Sequence, residues 1–265
     1  MIFQGKTVLV TGAGGGLGQA LCLLLINAGA RVAAIDLDLS GLDELVQKAP
    51  QGLLTFQCDI TDEAKCLDVA TQVGDIDILV NNAGITHFSK FQDMKPQTIQ
   101  KVMEVNFFGA VNMTSAALPS IMERSGTVVA ISSVAGFSPL YGRSGYSASK
   151  HAMQGFFDSL RSEIAETGVH VLTVCPSFIA SQQNDGEKEG ATARPGSATQ
   201  TAGKPLSPDF VAAEILTGIK TKRRFLTIGR VSKLSYWINK LSPKLFETLM
   251  IKKIRPEFSR DYVVK

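Results

Sequence analysis

The feature that most limits how this chain can fold is an alternation of two patterns. Short, near-continuously apolar runs rich in β-branched residues fall at 7–10, 31–35, 53–57, 76–80, 127–131, 170–174 and 224–228. Longer stretches with helical periodicity lie between them at 17–28, 39–48, 63–73, 96–123, 146–166 and 208–220. A strand that is apolar on both sides of its pleat must be covered on both faces. Strand–helix alternation does this through parallel βαβ units with right-handed crossovers. The expectation is an α/β fold, a doubly wound sheet of seven parallel strands with helices on both faces. A length of 265 residues suits a single such domain, and 45% hydrophobic against 19% charged residues is enough to pack its core.

In sheets of this kind ligands bind at the carboxyl ends of the strands, near the switch in strand order. The residues with chemical potential collect there. Thr11-Gly12-Ala13-Gly14-Gly15-Gly16-Leu17-Gly18 follows the first strand and opens the first helix. Glycines let the backbone turn sharply and approach a pyrophosphate, and the helix start offers free N–H groups and the positive end of a dipole. That makes the fold Rossmann-type, with Gly12, Gly14, Gly16, Leu17 and Gly18 as the expected phosphate contacts. Asp36 ends the second strand. A carboxylate there accepts hydrogen bonds from ribose hydroxyls and repels a 2′-phosphate, which favours NAD over NADP. No Arg or Lys adjoins it. The competing reading of Asp36 is an exposed strand-end acid.

The other end of the site starts at Tyr146-Ser147-Ala148-Ser149-Lys150, which opens a helix. The i,i+4 spacing puts the phenol and the ammonium on one face, one turn apart. A nearby ammonium favours the phenolate and brings a tyrosine closer to useful acid–base chemistry. Ser133, after the fifth strand, has a hydroxyl that could hold a substrate oxygen against Tyr146. Taken alone, a Y-x-x-x-K pair is usually a surface pair, and serine turns after strands are common.

Together these motifs resemble the short-chain dehydrogenase/reductase family in its compact, single-domain branch. Matching elements occur in family order: the T-G-x-x-x-G-x-G turn at residues 11–18, Asp59 in Cys58-Asp59-Ile60, Asn81-Asn82-Ala83-Gly84, Asn106 in Val105-Asn106-Phe107-Phe108-Gly109, Ser133, and then Tyr146 and Lys150. The resemblance is firm over residues 4–181. It implies a catalytic set of Asn106, Ser133, Tyr146 and Lys150. In that set Tyr146 gives or takes a proton, Lys150 lowers its pKa and binds the nicotinamide ribose, Ser133 orients the reacting oxygen, and Asn106 holds a relay water with Lys150. It also implies cofactor contacts at Asp59, Ile60, Asn82, Ala83, Gly84, Ile179 and Ser181, and a homodimer or homotetramer. One departure stands out. The sixth strand ends Pro176-Ser177-Phe178-Ile179-Ala180-Ser181 where the family often has P-G-x-x-x-T.

The expected activity is NAD(P)(H)-dependent interconversion of a carbonyl and a secondary alcohol. Phe88, Phe137, Leu140, Tyr141 and Phe178 sit in loops beside the motifs and are expected, with Ser133, to wall an apolar substrate pocket for a steroid, retinoid or acyl-type substrate. The alternative for these side chains is to cap the core. Two rival functions are an epimerase or dehydratase on the same fold, and a non-catalytic dinucleotide-binding regulator. Residues 1–229 form the expected dinucleotide-binding and catalytic domain, with 181–207 as a lid loop. Residues 230–265 form the C-terminal helical extension.

That extension is strongly basic. Residues 220–265 carry 13 Lys/Arg and 3 Asp/Glu, whereas residues 1–219 carry 14 and 21. Leu234, Trp237, Ile238, Leu241, Leu245 and Leu249 fall at helical spacing among lysines, and Pro243 should split the run into two helices. Peripheral contact with an anionic membrane, a lid over the substrate pocket or a subunit contact, and a solvated basic face all fit this pattern. No nucleic-acid motif accompanies the charge. The four cysteines (Cys22, Cys58, Cys66, Cys175) lack metal or disulfide spacing, so plain thiols and no metal site are expected. No signal stretch follows Met1, and the expected location is cytoplasmic, with the peripheral membrane contact as an option.

Overall fold

The computed structural model describes residues 3–49, 51–180, 192–193 and 203–258. Seven parallel strands form one sheet in the order β3-β2-β1-β4-β6-β7-β9. These are β1 (Thr7–Thr11), β2 (Arg31–Asp36), β3 (Leu53–Gln57), β4 (Ile78–Asn81), β6 (Thr127–Ile131), β7 (His170–Pro176) and β9 (Phe225–Ile228). A separate antiparallel pair joins β5 (Thr86–His87) to β8 (Thr192–Ala193). The order reverses between β1 and β4, and that is where a doubly wound sheet opens its crevice.

The apolar runs are buried on both faces because alternate side chains serve different cores. Val8, Val10, Val129 and Ile131 point to one side, with Leu21 and Leu25 of α1 (Gly16–Asn27), Leu42 of α2 (Leu39–Lys48) and Ile215 of α7 (Pro208–Lys220). Leu9, Val128 and Ala130 point to the other. There they meet Val69 of α3 (Glu63–Val73), Met113 of α5 (Gly109–Glu123), and Met153 and Phe157 of α6 (Ser144–Glu163). Alternation along each strand thus builds two cores.

Most element ends shift by one or two residues from the sequence reading, and the departures nearest the site have local reasons. The fourth strand starts at Ile78 rather than residue 76, because the Ile76 amide donates to Ser120 Oγ at 2.8 Å instead of to a neighbouring strand. The helix expected over 96–123 is interrupted. After α4 (Pro96–Met103) the chain widens into a π-helical turn over Glu104–Phe108 before α5 begins. Helix α6 starts at Ser144, two residues ahead of Tyr146, since the imidazole of His87 binds its first-turn amides. Pro243 does split the tail, standing in the first turn of α9 (Pro243–Ile254) just after α8 (Arg230–Leu241). No described helix is long and apolar enough to cross a membrane.

Phe157 is fully buried on α6, the helix that positions Tyr146 and Lys150. Phe157→Ala should destabilise the fold by about 3–5 kcal/mol through the lost transfer energy and the cavity left behind. A lowered urea midpoint with an unchanged slope would report it.

Candidate active site

The Gly-rich turn is held against the end of β4. Thr11 Oγ1 accepts from the backbone N–H groups of Asn82 and Ala83, both at 3.1 Å. Asn82 Nδ2 donates back to the carbonyls of Thr11 and Gly12, both at 3.0 Å. Gly12 has φ +65°, and a Cβ there would lie 2.7 Å from Ala83 Cα, so glycine is required on both counts. Beyond the turn, α1 begins with no side-chain cap at Gly15 and no acidic residue in its first turn. Its orphan N–H groups and positive dipole end are left for an anion.

From this turn a single cavity of about 670 Å³ runs to the chemical end. Gly12, Gly14, Gly16, Leu17, Gly18, Asp36, Asp59, Ile60, Asn82, Ala83 and Gly84 line one part of it. Ser133, Leu140, Tyr146, Lys150, Phe178 and Ile179 line the other. Asp36 Oδ2 accepts from the Gly14 amide at 2.8 Å and its Oδ1 from the Asp38 amide at 3.1 Å, so the carboxylate is fixed at the edge of the turn. Asp59 accepts from the backbone and the hydroxyl of Thr61, and the backbone bond leads in holding its carboxyl below the usual range.

Tyr146 is 8% and Lys150 3% exposed. Burial pushes the Tyr146 phenol up; a hydrogen bond from Ser133 and the positive charge of Arg143 pull it back. Burial lowers Lys150 to about 8. Its Nζ donates to the Ile131 carbonyl at 2.8 Å and lies 5.8 Å from the centre of the Tyr146 ring. Asn106 is completely buried in the π-helical turn, an irregularity frequent at functional sites. Its side chain accepts from the Ile85 amide at 2.7 Å and donates to the Ile85 carbonyl and to Ser149 Oγ, both at 2.9 Å. Asn106 does not line the cavity itself, but it meets Lys150 around Gly84. A Cβ at Gly84 would lie 3.2 Å from Asn106 Oδ1 and 3.5 Å from Lys150 Nζ.

A phenol, a hydroxyl and an ammonium therefore share a cavity with a glycine turn built for a pyrophosphate. The short chain dehydrogenase family model matches residues 6–191. The chain belongs to that family. It is a nicotinamide-dependent oxidoreductase with a Rossmann fold. It is 36% identical to a Drosophila melanogaster dehydrogenase/reductase SDR family protein 7-like, over 94% of this chain and 80% of that one. It is 34% identical to the Bos taurus dehydrogenase/reductase SDR family member 7B, over 96% and 83%. Among solved structures, a short-chain dehydrogenase from Streptomyces avermitilis superposes with a TM-score of 0.78 at 28% identity, covering 96% of this chain and 99% of that one.

The substrate side of this dehydrogenase differs from the sequence expectation. Phe88, Phe137 and Tyr141 do not line the cavity. Phe88 stacks on Phe258 at 4.3 Å, Tyr141 meets the same ring edge-on at 5.2 Å, and Phe137 packs against Tyr236 and Phe225. The tail claims these three rings, and in exchange it supplies wall residues of its own: Val231, Leu234, Ile238, Phe246, Leu249, Met250 and Ile254. Met250 Sδ accepts from the Tyr141 amide at 3.2 Å, which latches α9 to the loop before Tyr146. Ser181 and most of the expected lid lie outside the described residues. Within that segment, Leu206 exchanges backbone bonds with Phe178 and Ala180, both at 2.8 Å. The departure at Ser177 is harmless to the backbone, since its φ is not positive and its amide donates to the Ile228 carbonyl at 3.0 Å.

Two site residues escaped the sequence reading. Arg143 is buried, lines the cavity, and donates to Thr86 Oγ1 at 2.8 Å and to the His87 carbonyl at 3.3 Å. Its only sequence signal is its place three residues before Tyr146. His87, fully buried, accepts through Nε2 from the amides of Gly145 at 3.0 Å and Tyr146 at 3.3 Å, and so caps the helix that carries Tyr146 and Lys150. That bond needs the neutral ring, and burial holds His87 at about 4, with the Arg143 charge adding to the shift. Between about pH 6.5 and pH 4 the folded chain then binds fewer protons at His87 than the unfolded one. Its contribution is full above that window and falls by about 3 kcal/mol as the pH drops through it. His170 is also held low by burial, so it adds a decline of the same sign as the pH falls. Chemical denaturation at several pH values should therefore show a decline in stability that is shallower, not absent, in His87→Gln.

Proposed function

We propose that this dehydrogenase interconverts a ketone and a secondary alcohol on an apolar substrate, with NAD(H) as cofactor and Tyr146 as the proton donor and acceptor. One observation carries the reading: Tyr146 and Ser133 line the same cavity as the glycine turn and the apolar residues of the tail.

The groove fits a dinucleotide. The uncapped start of α1 would take the pyrophosphate, Asp36 the adenosine ribose, and the Asp59–Ile60 turn the adenine. Lys150 would hold the nicotinamide ribose. When bound, the nicotinamide supplies or accepts the hydride. In reduction Tyr146 donates its phenolic proton to the substrate oxygen as negative charge grows there, and Ser133 donates a second hydrogen bond to that oxygen. In oxidation Tyr146 takes the proton back. The Arg143 charge favours the phenolate, and Lys150, whose Nζ lies 5.8 Å from the centre of the ring, would act in the same direction. Asn106 and Lys150, which meet at Gly84, suit the two ends of a short proton relay. Residues 1–229 carry the cofactor and the chemistry in this reading, and the 230–265 extension closes the chamber.

Two arguments favour NAD and an apolar substrate. Asp36, Asp38 and Glu44 are all carboxylates at the ribose edge of the cavity, where a 2′-phosphate would be repelled. At the other end the walls are aliphatic and aromatic apart from a few polar groups, the usual form of a site for a hydrophobic small molecule.

Tyr146→Phe should lower turnover by about 10²–10⁴-fold, the usual share of positioned acid–base catalysis, while NADH affinity by fluorescence titration stays within a few-fold. Substantial residual turnover would remove Tyr146 from the proton role. Asp36→Ala should weaken NADH by about 10–100-fold, the value of hydrogen bonds to a charged group, and weaken NADPH far less. An unchanged ratio of the two affinities would remove Asp36 as the discriminator.

A further inference from the structure

Helices α8 and α9 wall the substrate chamber with one face and leave a second apolar face outside. Leu234, Trp237 and Leu241 stand three and four residues apart, so they form one stripe along α8. They are 62%, 57% and 80% exposed. Leu245 and Leu249 extend the stripe on α9, at 50% and 48%. The inward sides are set by buried Ser232 and Ser235 on α8 and by Phe246 and Ile254 on α9. Leu234 and Leu249 belong to both faces: they are exposed, and they also line the cavity that holds Tyr146. The outer stripe therefore runs without interruption into the mouth of the chamber.

Single exposed apolar residues need no explanation, but a contiguous stripe with a tryptophan at its centre marks an interaction surface. Charge identifies the partner. Residues 230–255 contain seven Lys/Arg and one acid, Glu247, against a net −7 over residues 1–219. Lys233 and Lys240 flank the stripe on α8, and Lys244 and Lys252 accompany it on α9. Lys240 Nζ lies 5.6 Å from the centre of the Tyr236 ring and 6.0 Å from that of Trp237. Leucines and a tryptophan beside long-stemmed cations are the composition of a helix lying in the headgroup layer of an anionic bilayer. Pairing this face with the same face of a second copy would instead bring like charges together.

We propose that the α8–α9 face docks on an anionic phospholipid bilayer and turns the mouth of the chamber toward the lipid, so that the substrate enters without crossing water. The docking stands on the surface alone; the entry route rests on the apolar-substrate reading above. The full chain should float with phosphatidylcholine vesicles containing phosphatidylserine at low salt, much less with phosphatidylcholine alone, and progressively less as salt is raised. Trp237 is the sole tryptophan of the chain. Its emission should shift to the blue on adding the anionic vesicles. Leu241→Ser with Leu245→Ser alters only the outer stripe; it should abolish flotation and the shift, yet leave turnover of a dissolved short-chain ketone with NADH unchanged. Protein left at the bottom of the gradient with anionic vesicles at low salt overturns docking. So does a blue shift that needs no lipid and grows with protein concentration, because a second copy then covers the stripe. Flotation without turnover of any ketone leaves docking intact and removes the reaction; turnover without flotation does the reverse.

Discussion

The site depends on one helix pressing a phenol and an ammonium into an apolar interior. Tyr146 and Lys150 share the face of α6 that continues through Met153 and Phe157 into the core beneath the sheet. Burial disfavours the charged form of each, raising Tyr146 and lowering Lys150. Burial thus shifts both groups toward their uncharged forms, in surroundings where each remaining charge and dipole counts for more than in water. The hydroxyl of Ser133 and the charge of Arg143 act in that setting, and the close packing of α6 stops the pair from turning away to find solvent.

Such burial is tolerable only if the start of α6 is fixed, because four N–H groups there lack helical partners. Local capping is weak: Arg143 occupies the cap position and its side chain makes no capping bond. The acceptor comes from a distance, as His87 Nε2 on β5. Arg143 ties the same region together by donating to Thr86 and to the His87 carbonyl while its guanidinium lies over the Phe88 ring. The two-residue strand β5 is thus a strut between the end of β4 and the helix that carries Tyr146 and Lys150. Its Thr86 hydroxyl and His87 carbonyl fix the Arg143 head, and its histidine ring fixes the helix.

What the sequence made legible follows from interaction range. The alternation of strands and helices, the glycine turn, Asp36, and the Tyr146–Lys150 pair are each encoded within a few residues, and the sheet order brings them to one edge. Ser133 is legible because β6 and α6 are successive elements. The substrate wall was misassigned for the opposite reason. Phe88, Phe137 and Tyr141 have the right composition and the right loops, but their packing partners Phe258 and Tyr236 lie about a hundred residues or more further along. No local pattern states that the tail will fold back and take them. His87 was invisible on the same grounds: a lone histidine gives no hint of the helix it caps, nor of the neutral ring it must keep.

The tail also shapes the loop that leads to Tyr146. Gly142 has φ +70°, and Phe258 fills the space where its side chain would be. The loop leading to Tyr146 is therefore shaped around an aromatic ring from the end of the chain. With Met250 bonded to the Tyr141 amide and Asn239 Nδ2 donating to the Phe137 carbonyl at 2.7 Å, α8, α9 and the turn that follows them hold that loop at three points. One wall of the cavity and the position of that loop are consequently set by the same two helices. A change in how these helices sit would alter both the pocket wall and the loop that leads to Tyr146.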